Sequence, residues 1–217
     1  MFSLINEDIN EYCENHSTAC GDLLYRLWRE TNLKVMNPRM AAGEMQGRFL
    51  TMIARMVCPR KVIEIGSFTG YSTICLAAGM PKRSCLDTIE KNEELQEMCS
   101  RYIQEFIVQN MSNQMITLYV GDALEIIPNL DNAYDLAFID GDKEEYDQYY
   151  ELLLPKMLKR GFILVDNVLW NGKVSDESQN DKDTVAIRAF NDKIQQDPRV
   201  NNILLPFRDG MMLIEKL

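Results

Sequence analysis

The chain has 217 residues, of which 46% are apolar and 26% charged, and its formal net charge is −10. A chain of this length buries roughly 70% of the surface its unfolded form exposes, so it needs neither disulfide nor metal merely to fold. It offers no apolar run of about 18 residues for a membrane span, its acidic opening lacks a signal-peptide core, and the acidic balance speaks against a passive nucleic-acid binder; a cytoplasmic protein is expected.

Residues 1 to about 58 read as helices joined by a polar connection near "KVMNPRMAAGE". The pattern then changes to short β-rich runs: 61–66, 84–90, 115–120, 134–140, 161–166, 201–207 and 211–217. Helices lie between them. A helix with Tyr71, Ile74, Cys75 and Ala78 on one side follows Gly70. Asn92, with Glu93 and Glu94 behind it, predicts a cap for a helix carrying Leu95, Met98, Tyr102 and Phe106. Tyr146, Tyr149, Tyr150, Leu153, Leu154 and Met157 repeat at helical spacing and are read as a core stripe, with Pro155 kinking or dividing the segment. Only Arg208-Asp209-Gly210 separates the last two strands, too short for a parallel crossover, so they form a hairpin. Strands alternating with helices predict a mostly parallel seven-stranded sheet with one antiparallel strand near its edge and helices on both faces. The six cysteines have no C-x-x-C pair and are read as buried reduced thiols. One histidine, His16, leaves no material for a histidine triad or a histidine-rich zinc site.

Three stretches carry chemistry. In "VIEIGSFTGYST" (62–73) a strand ends at a G-x-x-x-G turn that opens a helix. The glycines let a ligand approach the backbone and the helix start offers free N–H groups. The spacing is that of neither the dinucleotide nor the nucleotide-triphosphate glycine loop. The next strand ends in Glu90, placed to bind both hydroxyls of a ribose; the alternative is an ordinary turn and a solvated glutamate. The third stretch is split: Asp140 ends one apolar run, Asp166 ends the next, and Asn167 follows. If the two runs are neighbouring strands, their carboxyl ends lie about 4.8 Å apart. Two carboxylates that close repel unless a cation or a proton lies between them. With the Asn167 amide oxygen they make an all-oxygen set suited to Mg²⁺, with Ca²⁺ or Mn²⁺ as other choices. The alternative is that both aspartates cap the helices that follow. Lys143, three residues after Asp140, faces the same mouth; a desolvated lysine beside a cation has a lowered pKa and can act as a general base. Its alternative is a plain surface lysine.

Together these residues resemble the class I S-adenosylmethionine (SAM)-dependent methyltransferases, and more narrowly the cation-dependent catechol and caffeoyl-CoA O-methyltransferase family. The resemblance runs from about Met40 to the C-terminus. "VIEIGSFTGYST" looks like the family's first cofactor loop, "FIDGDKEEY" like its metal-and-base segment and "LVDNVLWNGKV" like its second metal segment. "DTVAIRAFN" and "LLPFRDGMMLIEK" follow the pattern too. The resemblance implies one Rossmann-like methyltransferase domain, with residues 1–58 as a helical cap and 59–217 as the core. It implies that Ala42 contacts SAM through its backbone, that Glu64, Gly66, Ser67 and Ser72 surround the methionine part, that Glu90 holds the ribose and that Ala123 lies by the adenine. Asp140, Asp166 and Asn167 would hold the metal, Asp140 also lying near the cofactor, with Lys143 as the base. Asp142 and Asn171 would approach the acceptor and Trp170 would wall the pocket. The implied acceptor is a small vicinal dihydroxy aromatic, and the implied assembly a homodimer through the N-terminal helices. One departure is Arg208, where the family usually has glycine or a small apolar residue. It either lines the pocket and favours an anionic acceptor or faces solvent.

Three rival readings are weighed. An RNA methyltransferase acting on a hydroxylated uridine of tRNA would need a basic surface, to which Lys173, Lys182, Arg188 and Arg208 would contribute, and the −10 balance speaks against it. A non-catalytic cofactor-binding scaffold would need none of Asp140, Lys143, Asp166 and Asn167. Nicotinamide chemistry has the wrong glycine spacing.

Overall fold

Alternation with a period of two along the central strands decides the architecture. Strands β1 (Lys61–Ile65), β2 (Cys85–Glu90), β3 (Met115–Val120), β4 (Tyr134–Ile139), β5 (Met157–Asp166), β6 (Val200–Leu205) and β7 (Met211–Lys216) form one sheet in the order β3-β2-β1-β4-β5-β7-β6. They come from a computed structural model that describes residues 6–111, 113–130 and 133–217. The pairs from β3 through β5 are parallel; β7 runs antiparallel to both β5 and β6. The expected antiparallel strand is therefore β7, inserted beside the edge strand β6.

Ile63, Ala137, Ile139, Ile163, Val165, Met212 and Ile214 point to one face, where α6 (Ala123–Ile126), α7 (Tyr146–Leu153) and α8 (Lys182–Gln196) cover them. Val62, Leu86, Leu136, Phe138, Leu164 and Met211 point to the other, under α2 (Asp22–Lys34), α3 (Glu44–Val57), α4 (Tyr71–Gly79) and α5 (Gln96–Gln109). A sheet buried on both faces is what makes these runs read as almost continuously apolar. The N-terminal helices belong to this second layer: Leu27, Leu50 and Ala54 are fully buried in the same cluster as the sheet residues. Ahead of them, α1 (Glu7–Asn15) is largely exposed.

Three local readings need correction. Ala78 is the exposed residue of α4, which is otherwise buried on all sides between α3 and the sheet. Met157 does not continue the tyrosine helix: α7 stops at Leu153, a short 3₁₀ turn carries Pro155, and Met157 opens β5. Proline ends the helical run outright because it brings no N–H to continue it. The tyrosine stripe itself is core, with Phe190 of α8 set edge-on to Tyr146 and Tyr150. All six cysteines are free, but only Cys75 and Cys99 are buried. Among the described residues no helix is long and apolar enough to cross a membrane.

The strand order reverses at β1, whose neighbours are β2 on one side and β4 on the other. Chains leaving β1 and β4 diverge to opposite faces and leave a crevice at their carboxyl ends. Gly66 makes that crevice possible: its φ is +92°, and a Cβ there would lie 2.1 Å from the carbonyl oxygen of Asp140.

Candidate active site

A cleft of about 640 Å³ opens along the carboxyl ends of β1, β2, β4 and β5. Every residue that the resemblance assigns to cofactor, metal, base or acceptor lines it except Glu64; Lys173, Lys182 and Arg188, named for a basic surface, do not. On the β1–β2 side, Gly66, Ser67 and Ser72 come from the first glycine turn and the start of α4, Glu90 from the end of β2, Ala123 from the start of α6, and Ala42 from the segment entering α3. Glu90 accepts the backbone N–H of Phe68 at 2.6 Å and that of Asn92 at 2.8 Å. It thus ties the β1 turn to the β2 turn, and burial pushes its carboxyl up. Ala123 is positioned by Asp122, whose side chain caps α6 through the N–H of Leu124.

Glu64 lies in the core below this wall, fully buried. Its Oε2 accepts the hydroxyls of Thr73 and Thr88. Burial pushes its carboxyl up to about 7 against the pull of the Ser72, Thr73 and Thr88 hydroxyls. Among the described residues, its Oε1 and the buried hydroxyl of Ser67 have no hydrogen-bond partner. Orphaned buried oxygens call for a partner, and the amino-acid end of a methionine-type cofactor carries both donors and acceptors. The residues on this side fit that group.

On the β4–β5 side the two aspartates do end neighbouring strands, with Ile139 in register with Val165. Neither caps a helix; Asp142 does, accepting the N–H of Glu144 at the start of the turn Lys143–Glu145. Lys143 is not a surface lysine, since its side chain is only 12% exposed. Its Nζ donates to Asp140 Oδ1 at 2.9 Å and to the Gly141 carbonyl at 3.1 Å, and it lies over the rings of Tyr146 and Trp170. Without a cation beside it, Lys143 shows the opposite balance. Burial pulls the ammonium down, but Tyr146 and Asp140 outweigh it and hold Lys143 charged, above its ordinary value.

Asp166 is 3% exposed. Its Oδ2 accepts from the side-chain amide of Gln46, and its backbone carbonyl accepts the Tyr146 hydroxyl at 2.9 Å. Burial first, and the charge of Asp140 second, push its carboxyl up to about 7, while Arg208 and Lys143 pull it back. Among the described residues no three His, Cys, Asp or Glu side chains come together as a metal-binding group. The available donor set is thus two carboxylates and the amide of Asn167. It is all oxygen and it carries a repulsion that a positive charge relieves, so it fits a hard divalent cation.

The outer wall is made by residues 167–171 and 206–210. Trp170 and Asn171 stand in the left-handed region, as do Asn167, Phe68 and Arg208; five of the ten non-glycine residues with positive φ among those described therefore line this one cleft. Each costs backbone energy that the surroundings must hold in place. Asp209 does much of the holding here. Its carboxylate accepts the N–H of Asn171 and its carbonyl accepts the N–H of Leu169, while the Gly210 carbonyl accepts the N–H of Val168. Arg208 lines the cleft, so its solvent-facing alternative falls, and its guanidinium donates to Gln46. Gln46, Asp209 and Tyr149 line the cleft although none reads as a site residue in the sequence, Tyr149 falling in the core stripe and Asp209 in a turn. Gln46 sits in the "MAAGEMQG" stretch already picked for Ala42, but nothing local marks it; Asp209 is hidden inside what reads as a hairpin turn.

The profile of the O-methyltransferase family matches residues 14–217. A protein of Dictyostelium discoideum named "Probable caffeoyl-CoA O-methyltransferase 2" is 34% identical over 98% of this chain and 93% of its own. A catechol O-methyltransferase of Niastella koreensis is 29% identical over 81% of this chain and 82% of its own. Among solved structures, an O-methyltransferase of Streptomyces achromogenes involved in tomaymycin synthesis, in complex with SAM, superposes with a TM-score of 0.85 at 26% identity, covering 96% of each chain. With the glycine turn, Glu90 and the switch-point cleft already in place, these matches make the chain a member of the O-methyltransferase family and a SAM-dependent O-methyltransferase of Rossmann-like fold.

Proposed function

We propose that this O-methyltransferase acts on a vicinal dihydroxy aromatic small molecule of the catechol or caffeoyl type, with a divalent cation, Mg²⁺ first, held by Asp140, Asp166 and Asn167. The observation that carries the reading is the pair of strand-end aspartates. Asp166 is buried and pushed up to about 7 beside Asp140, with Lys143 2.9 Å from the latter. A fold alone has no use for two carboxylates placed to repel each other. The names borne by the Dictyostelium and Niastella relatives point to the same acceptor class.

The cation, when bound, supplies positive charge that lowers the pKa of an adjacent aromatic hydroxyl. The chain's own residues supply the rest. Lys143 takes the hydroxyl proton on Nζ. To do so it must first be neutral, so the proton that Asp140 and Tyr146 hold on it in this structure leaves to solvent before the hydroxyl proton arrives. Gly66, Ser67, Ser72, Glu90 and Ala123 fix SAM along the β1–β2 side, with Ala42 contacting it from the cap. Asp142, Trp170 and Asn171 confine the acceptor so that its oxygen meets the sulfonium methyl in line. The C–O bond forms as the S–CH₃ bond breaks, leaving S-adenosylhomocysteine. Positioning and electrostatic stabilisation carry most of the acceleration.

The test is methyl transfer from labelled SAM to caffeate, with Mg²⁺ and with EDTA. Transfer that vanishes in EDTA and returns with Mg²⁺ is expected. Transfer undiminished by EDTA removes the cation from the reading. No transfer despite confirmed SAM binding moves the acceptor outside this class, and hydroxylated tRNA is then assayed.

A further inference from the structure

Beside the backbone N–H of Asn167, the Asp166 carboxylate is held from far along the chain. Its partner is Gln46, 120 positions away in the first turn of α3 and 1% exposed. Both ends of the Gln46 amide are engaged: Nε2 donates to Asp166 Oδ2, and Oε1 accepts from Arg208 Nη1. An amide can turn over and exchange its oxygen and nitrogen. Here the reversed orientation sets NH₂ against the guanidinium donors and oxygen against the carboxylate, and both contacts repel. Arg208 therefore permits a single orientation, the one that presents a donor to Asp166. Its side chain also runs past Gly43, where a Cβ would meet the guanidinium at 3.6 Å, so the relay joins the corner between β6 and β7 to the entry of α3. Arg208 takes up this place from a left-handed backbone, φ +53°, which an arginine adopts only when held there.

We propose that Gln46 is a positioning residue for Asp166, and that Arg208 acts through Gln46 by fixing the orientation of its amide. Where the cation reading above applies, the consequence is a carboxylate oriented in advance for the ion. Partners of this kind, one step removed from the metal, typically change affinity about 10–100-fold.

The test is a double-mutant cycle on the full chain: wild type, Gln46→Met, Arg208→Met and the double variant. Mn²⁺ affinity is read by EPR without acceptor, kcat with caffeate at saturating SAM, and SAM affinity as the control for folding. Gln46→Met is expected to weaken Mn²⁺ binding about tenfold while SAM affinity stays within about twofold. Arg208→Met is expected to change Mn²⁺ binding by one factor in the wild-type background and another in the Gln46→Met background, the two differing about fivefold or more, on the coupling expected of residues in one network. The part due to charge alone is common to both backgrounds and cancels. Equal effects in the two backgrounds, or a silent Gln46→Met, overturn the proposal. If Gln46→Met does not fold, Gln46→Asn, which keeps the amide but not the reach, must weaken Mn²⁺ binding in the same sense. A wild type that binds no Mn²⁺ removes the cation, not this inference, which the coupling in kcat then decides. A crystal structure of Gln46→Met in which Asp166 keeps its rotamer overturns it whatever the acceptor proves to be.

Discussion

The ends of β4 and β5 carry the same residue at adjacent places in one sheet and treat it in opposite ways. Asp140 is held from its own loop, by a lysine three residues on, and keeps about a fifth of its side chain in contact with solvent. Asp166 is nearly sealed and is held from afar, by Gln46 of α3 and, behind it, Arg208 of the last hairpin. The first arrangement is an ion pair whose charge is balanced on the spot. The second leaves a carboxyl that burial pushes up to about 7. Neighbouring strand ends thus supply one acid that is compensated and one that is not, and a site that is to accept a cation or release a proton needs that asymmetry.

The largest effect is expected at the uncompensated strand end. Asp166→Ala together with Asn167→Ala should lower Mg²⁺-dependent methyl transfer on the order of a thousandfold, the several kcal/mol a bound ion supplies; full activity at micromolar Mg²⁺ would contradict it. At the compensated end, Lys143→Ala should lower kcat on the order of a hundredfold or more, the range of a general base, with SAM affinity nearly unchanged by calorimetry. Unchanged turnover would remove Lys143 as base.

Glu64 adds a second strand-associated acid pushed up to about 7, chiefly by burial. The sign follows from its raised value. Between about 4.5, the unfolded value, and 7 the folded state binds the extra proton, so stability is fully present below that window and falls as pH rises through it. In urea titrations of the cofactor-free protein, Glu64→Gln should therefore gain on wild type by about 2–3 kcal/mol between pH 4.5 and 8. A difference that does not change with pH would show the carboxyl to be ionised in the fold. The smallest effect is expected from Tyr146→Phe, which removes one bond to the Asp166 carbonyl. It should cost about 1 kcal/mol in the same titration and alter Mg²⁺ dependence only slightly.

The contrast also explains what can be read from the chain alone. The sheet, its antiparallel strand and the cleft are legible because β-runs, glycines and strand-end acids are local signals. The pairing of Asp140 with Lys143 is legible for the same reason, being three residues long. The partners of Asp166 are not, since neither Gln46 nor Arg208 has a spacing relation to it; only folding brings α3 and the β6–β7 corner together. Lys143 shows the converse limit. Spacing brings it to the cleft, but its charge state in the fold depends on burial and on Asp140 and Tyr146 beside it, which spacing does not encode. Glu64 reads as part of the wall because it precedes the glycine turn, whereas strand alternation turns its side chain into the core between Thr73 and Thr88.

The outer wall of the cleft has a bearing on how this enzyme can be re-engineered. Residues 167–171 are fastened to 206–210 by three backbone N–H groups, and the space a side chain at Gly210 would need is occupied by Leu169, 2.5 Å from the ideal Cβ. Two loops about forty residues apart in the chain are in effect one part. A graft that exchanges the 167–171 loop alone, to import another acceptor preference, would arrive without the aspartate and glycine that shape it. Chimeras should carry both segments across together, or neither.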